Sequence, residues 1–299
     1  MKEKLKTKKE ARQEAEKEAA KKGQTLPYPS HDQLRAEAEE PKPEVYLMVY
    51  DESGMPIRRV DAVVTEGFHR AAWDLRYFAP SETEQEHPGE EFLPATAQGP
   101  LVMPGKYSAR LFKRVTGAVT ELGGPQAFTV VTDGTAGLSP SDRAAQEEFH
   151  RKVARLYRAV SGAINSANDV QTRLKAIRKA LQDTPSAEPL RAAADSIEQR
   201  SNDILRALRG DVALAARNEN VPTSINDRVS NIMEGERFAM TRPTQTHLDA
   251  YAIAADEFAQ QLAKLRTLIQ VDLAKLEKDM EAAGAPWTPG RVPEWQEQK

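Results

Sequence analysis

The sequence predicts an α+β chain of two domains: an immunoglobulin- or fibronectin-like β-sandwich followed by an antiparallel three- to four-helix bundle. Three observations carry this expectation. Short β-branched and aromatic runs, punctuated by turns, occupy residues 41–135. After Leu138-Ser139-Pro140 an apolar stripe runs through Phe149, Val153, Leu156, Val160, Ala163, Ala167, Val170, Leu174, Ile177 and Leu181, in alternating steps of four and three. Such steps keep one side of a helix apolar. A second long stripe runs through Leu248, Tyr251, Ala255, Phe258, Leu262, Leu265, Ile269, Leu276 and Met280. The boundaries that follow are a charged helical excursion and linker at 1–40, the sandwich at 41–135, the bundle at 139–284 and a non-helical Trp/Pro tail at 285–299.

At the N-terminus, residues 2–22 hold nine Lys or Arg against five Glu, with no stripe of large apolar side chains. That composition favours a solvated helix, which Gly23 ends. Leu26-Pro27-Tyr28-Pro29 is a rigid linker. Ser30-His31-Asp32-Gln33 matches a capping box opening a short helix.

Val45–Tyr50 and Ile57–Val64 predict a hairpin around Asp51-Glu52-Ser53-Gly54. In the next segment Phe68, Trp73 and Leu75 are expected in the core, and their change of phase suggests a bulge. Residues 79–100 read as a long acidic loop. Pro104-Gly105 turns into a strand at Tyr107–Val115, Thr116-Gly117-Ala118 turns back, and Gln126–Val131 closes the sheet.

Ser139 caps the long helix, and Asp183-Thr184-Pro185 breaks it. A second helix spans about 187–209, with Leu190, Ala194, Ile197, Ile204 and Leu208 inward. Ser224–Met233 is a shorter helix. The alanines at 163, 167 and 255 are expected to let helices approach closely. The stripes could instead build an oligomeric coiled coil, but their short breaks favour packing within one chain. Trp287 is expected to fold back over the open end of the bundle.

The chemistry-bearing residues are sparse. His31, His69, His87, His150 and His247 lie on separate elements without metal-ligand spacing, and read as unrelated. Asp74 and Arg76 beside Trp73 read as an ion pair on a strand surface. Glu82, Glu84, Glu86, Glu90 and Glu91 share the loop, which does not hold two carboxyls across a sugar bond. There is no G-x-S-x-G and no phosphate-binding loop. No catalytic, cofactor-binding or metal-binding residue is therefore named. Trp73, Asp74, Arg76, Trp287 and Trp295 are taken as structural anchors. A net charge of -3 argues against a nucleic-acid partner, and the absence of cysteine excludes disulfides and thiolate metal sites. No run of 18 apolar residues predicts a membrane span.

Several stretches occur together and in order: Pro27-Tyr28-Pro29-Ser30, Gly67-Phe68-His69-Arg70 running into Trp73-Asp74-Leu75-Arg76-Tyr77, Gly99-Pro100-Leu101-Val102 with Pro104-Gly105, and Ala285-Pro286-Trp287-Thr288-Pro289-Gly290-Arg291. From Lys2 to Trp295 the chain resembles the C-terminal region of large bacterial WD40/YVTN/BNR-repeat proteins, often labelled sortilin-like (Vps10-type) or glycosyl hydrolase. The resemblance implies an exported parent protein with an upstream β-propeller that holds any ligand-binding or hydrolytic site. No Asp-box pattern (S-x-D-x-G-x-T-W) of such repeats is present in this chain. The resemblance also implies that Lys2–Lys6 is the tail of a strand begun upstream. Met1 would then be an internal start, a gene-prediction artefact or the mark of a broken gene. It further implies a non-catalytic accessory region whose partners are the propeller and a glycan or protein ligand. Two alternatives stand beside it: a part that shapes the substrate cleft of a hydrolase, and a self-associating helical scaffold.

Overall fold

The computed structural model describes residues 5–79, 99–132, 134, 137–182, 184–185, 187–237, 239 and 241–293. It is a mixed α+β chain, with one five-stranded antiparallel sheet and eight α-helical segments among those residues, the last two joined into one continuous helix. Two compact units divide it: Met1–Phe78 with Leu101–Ala136, and Ala79–Pro100 with Gly137–Lys299.

In the first unit, helix α1 (Lys8–Lys21) opens on a capping box at Thr7 and α2 (His31–Ala38) on the expected one at Ser30. Arg12 of α1 grips Glu37 of α2 through two hydrogen bonds of 2.6 and 2.9 Å. This two-pronged pairing suits a planar guanidinium.

The strands are β1 (Glu44–Tyr50), β2 (Pro56–Ala62), β3 (Gly105–Val115), β4 (Ala118–Glu121) and β5 (Gln126–Val130). The predicted hairpin is β1–β2, with Asp51 Oδ1 accepting from the N–H groups of Ser53 and Met55 at 2.9 and 3.0 Å. Those bonds stabilise the turn locally, and Gly54 supplies its left-handed residue at φ 81°. The sheet order is β2-β1-β3, and the far edge of β3 is shared: β4 pairs with Phe112–Val115 and β5 with Gly105–Ala109.

One sheet face gathers Val49, Ile57 and Tyr107, with Val102 from a loop and the half-buried Trp73, Tyr77, Phe128 and Val130 against them. A sandwich needs a second sheet, and the described residues contain none. The segment through Trp73–Tyr77 contributes to this apolar cluster and is fastened by a bridge from Arg76 to Leu101. Because that segment is not a strand, no pleat alternates its side chains. Two expected core residues consequently lie outside: Phe68 is 91% exposed, and Leu75, at φ 58°, is 42% exposed. Trp73 alone of the three packs on the sheet cluster.

The second unit is built on α3 (Pro140–Gln182), whose ten predicted stripe positions are all buried. Ser139 caps it by accepting from Asp142 N–H at 3.1 Å. Helices α4 (Glu188–Arg209), α6 (Ile225–Glu236) and α7 (Gln245–Thr267) pack against α3 around one apolar core. A short α5 (Val212–Ala215), which the pattern did not predict, begins at Asp211.

Helix α7 continues without a break through a π-helical turn at Leu268–Leu273 into α8 (Ala274–Ala282). The turn explains a departure from the predicted stripe. Leu265, Leu268, Leu273 and Leu276 are buried, whereas Ile269 is only partly so. A spacing of five would carry Leu273 off an α-helical stripe; the wider turn takes up the extra residue and returns it to the core. Ala254, rather than Ala255, is the buried alanine of α7. No helix among the described residues is long and apolar enough to cross a membrane.

Candidate functional site

The only charged residue buried among the described ones is Glu236, at the end of α6, and it stands between two histidines. Its position follows from the helix pattern: Ile225, Val229, Ile232 and Glu236 are spaced by four, three and four, so the carboxylate lies in line with the apolar stripe. His150 reaches it from α3, one residue after the core Phe149, and His247 reaches it from the first turn of α7. His247 Nδ1 lies 2.5 Å from Glu236 Oε1, and His150 Nε2 lies 3.2 Å from Oε2.

The protonation pattern can be assigned from these distances. Burial by itself pushes the Glu236 carboxyl up. The hydrogen bonds from His150 and His247 outweigh that and hold it below the usual carboxylate range. An ionised carboxylate only accepts, so each facing ring nitrogen carries a proton and donates.

Two neighbours fix the arrangement. Thr244 Oγ1 accepts from the backbone N–H of His247 at 3.2 Å and caps α7 at that point. The Cε1–Nε2 edge of the His247 ring lies close against Gly235, where an added Cβ would be 2.8 Å from Cε1 and 2.9 Å from Nε2. Glycine at 235 is thus what lets α6 and α7 approach closely enough for the bond to form.

On α3, Asp142, Gln146 and His150 recur every four residues and so share one face. Gln146 donates to the carbonyls of Ala239 and Thr241 at 2.8 and 3.2 Å, and Asp142 pairs with Arg242 at 3.3 Å.

A carboxylate that orients an imidazole is a familiar part of a base–nucleophile set. Here, however, the two oxygens serve different rings, and the far nitrogen of His247 lies beside Gly235 of α6, near where a Cβ there would stand. Among the described residues no group of three His, Cys, Asp or Glu side chains is placed to hold a metal. The arrangement's evident capacity is to fasten three helices through one charge.

Of the five predicted anchors, Trp73, Asp74 and Arg76 share hydrogen bonds within the first unit, and Trp287 belongs to the second. Trp73 makes edge-on contacts with Tyr107 and Phe128 at centroid distances of 5.8 and 5.9 Å, and its indole N–H donates to the Arg76 carbonyl at 3.0 Å. Asp74 pairs with Arg58 of β2 at 3.1 Å, and its other oxygen accepts from the Arg76 backbone N–H. The expected strand-surface pair of Asp74 with the Arg76 side chain presumed a strand; this irregular segment turns Asp74 to Arg58 instead.

Trp287 is 42% exposed, with the Arg291 guanidinium 4.6 Å above its ring. Ala285 and Thr288 are the tail residues that bury, and Gly290 lies against Arg173, which is paired with Glu277. Trp295 lies outside the described residues, as do His87 and the five loop glutamates.

Reading the histidines as unrelated missed the His150–Glu236–His247 cluster, because their separations of 86 and 11 residues carry no local signature. A signal existed in α6. Extending its helix by one turn past Met233 would have put a glutamate at a core position, which demands a partner.

No protein-family model, curated protein or solved structure matches the chain.

Proposed function

We propose that this chain is a non-catalytic accessory region that supports an upstream β-propeller of the same exported parent protein and contacts a protein or glycan ligand. The observation that carries this reading is the use to which the helical unit puts its one buried charge. Glu236, His150 and His247 are spent on joining α3, α6 and α7, beside an apolar stripe that runs along the length of α3. That is the construction of a strut. The resemblance to the C-terminal region of BNR-repeat proteins supplies the propeller as the partner.

Two finer points of architecture belong to the same proposal. The apolar face bearing Val49, Ile57 and Tyr107 suits one sheet of an immunoglobulin- or fibronectin-like sandwich, whose second sheet would have to come from outside the described residues. The packing of α4, α6 and α7 on α3 supports an antiparallel three- to four-helix bundle.

The test is the mass of the native product in its source cells, probed with an antibody raised on this chain. A band several times larger than 33.2 kDa is expected. A band at that mass would remove the propeller from the reading. Turnover of glycoside or ester substrates by the purified chain would overturn the non-catalytic part.

A further inference from the structure

The geometry points to an acid-released clasp between the first turns of α3 and the connector from α6 to α7. Asp142, Gln146 and His150 stand one turn apart and hold, in order, Arg242, the carbonyls of Ala239 and Thr241, and the carboxylate of Glu236. His247 holds the same carboxylate from α7. Beyond His150 the buried side chains of α3 are all apolar, from Val153 to Leu181. That stretch of core has no charge to change with pH, so the clasp titrates as a local unit.

At neutral pH the cluster is one anion accepting from two imidazoles. On acidification Glu236 takes up a proton and loses its charge. One carboxyl oxygen then bears a hydrogen where a ring N–H already points, so a pair of charge-assisted bonds gives way to two donors facing one another in a site shielded from water. The sign follows from the depressed carboxyl: its contribution is complete above the ordinary carboxylate range and is lost as pH falls through the folded value.

The surrounding charges do not replace Glu236. Glu147 is paired with Arg151 on α3, and Glu234 with Arg237 at the end of α6. Asp142 is paired with Arg242 of the connector, and Asp249 of α7 accepts from Gln245.

The test is amide hydrogen exchange of the full chain, in steps from pH 7 down to about pH 2 so that the lowered carboxyl is crossed, as protection factors corrected for the intrinsic rate. The segment 236–247 is expected to lose protection about tenfold or more, roughly 1.4 kcal/mol by the standard conversion, while 160–181 changes far less. Glu236→Gln makes the side chain neutral at every pH, so 236–247 should be less protected already at pH 7 and should lose its acid-dependent release. The paired substitution of His150→Ala and His247→Ala should move the release of 236–247 to a higher pH, because burial then acts on the Glu236 carboxyl unopposed. Equal loss of protection in both segments, or release at an unchanged pH in Glu236→Gln, would overturn the proposal.

Discussion

Replacing Gly235 by alanine should destabilise the helical unit, and the same change should stabilise it once His247 is gone. The new methyl carbon would stand 2.8 and 2.9 Å from two ring atoms of His247, against the 3.5–4.0 Å at which carbon atoms rest. A free imidazole would swing aside. This one is held by its 2.5 Å bond to Glu236, so retreat by about 0.7 Å means stretching a bond to a buried charge. Such bonds contribute about 1.5–3 kcal/mol, and overpacking costs about 1–3 kcal/mol. Opposing this, alanine is favoured over glycine inside a helix by up to about 1 kcal/mol. The net expectation is a loss of about 1–2 kcal/mol in the intact protein. In a His247→Ala background the methyl group meets open space, and a gain of up to about 1 kcal/mol remains. Urea unfolding followed by far-UV circular dichroism, on the single variants and the double, gives the coupling energy as about 2–3 kcal/mol. An effect of the same sign and size in both backgrounds would refute the argument that Glu236 locks the ring.

Three further outcomes are expected. Ser201 is fully buried in α4 and its hydroxyl has no hydrogen-bond partner, so Ser201→Ala should raise stability by about 1 kcal/mol or more in the same urea titration. Deleting Gln270, an exposed residue of the π turn, should leave thermal stability nearly unchanged, because Leu268 and Leu273 then fall at an ordinary α-helical spacing of four. Deleting Lys264, in regular helix, should lower it sharply by turning Leu265 and everything after it out of phase. Trp73→Ala should cost the sheet unit about 3 kcal/mol, whereas Trp287→Ala should cost about 1 kcal/mol or less, both by denaturant titration.

What was legible in the sequence was whatever depended on neighbours a few residues away. The α3 stripe is one such case, since ten positions at steps of four and three leave a helix no other face to bury. The capping box at Ser30 and the hairpin around Asp51 are others, because their hydrogen bonds are made within five residues. Phe68 and Leu75 were misplaced because what packs on the β-sheet is an irregular segment, and side chains there obey no period. Leu268 and Leu273 were concealed by Ile269, which offers an equally good heptad step until the extra residue is absorbed. The Glu236 cluster lay furthest from reach. Its three members come from three helices, and nothing local to His150 announces a carboxylate 86 residues away.

The divided edge of β3 also sets an order of assembly. This one strand pairs with β1 on one side and with both β4 and β5 on the other, so three of the four strand contacts in the sheet await it. Only β1–β2 can pair before β3 is available, and a lone two-stranded hairpin is marginal in water. The intervening residues 51–104 must be spanned before β1 and β3 meet, at the entropic cost of closing a long loop. During synthesis the hairpin therefore waits, largely unformed, until residue 115 has left the ribosome; β4 and β5 then add in quick succession, each across a short connection.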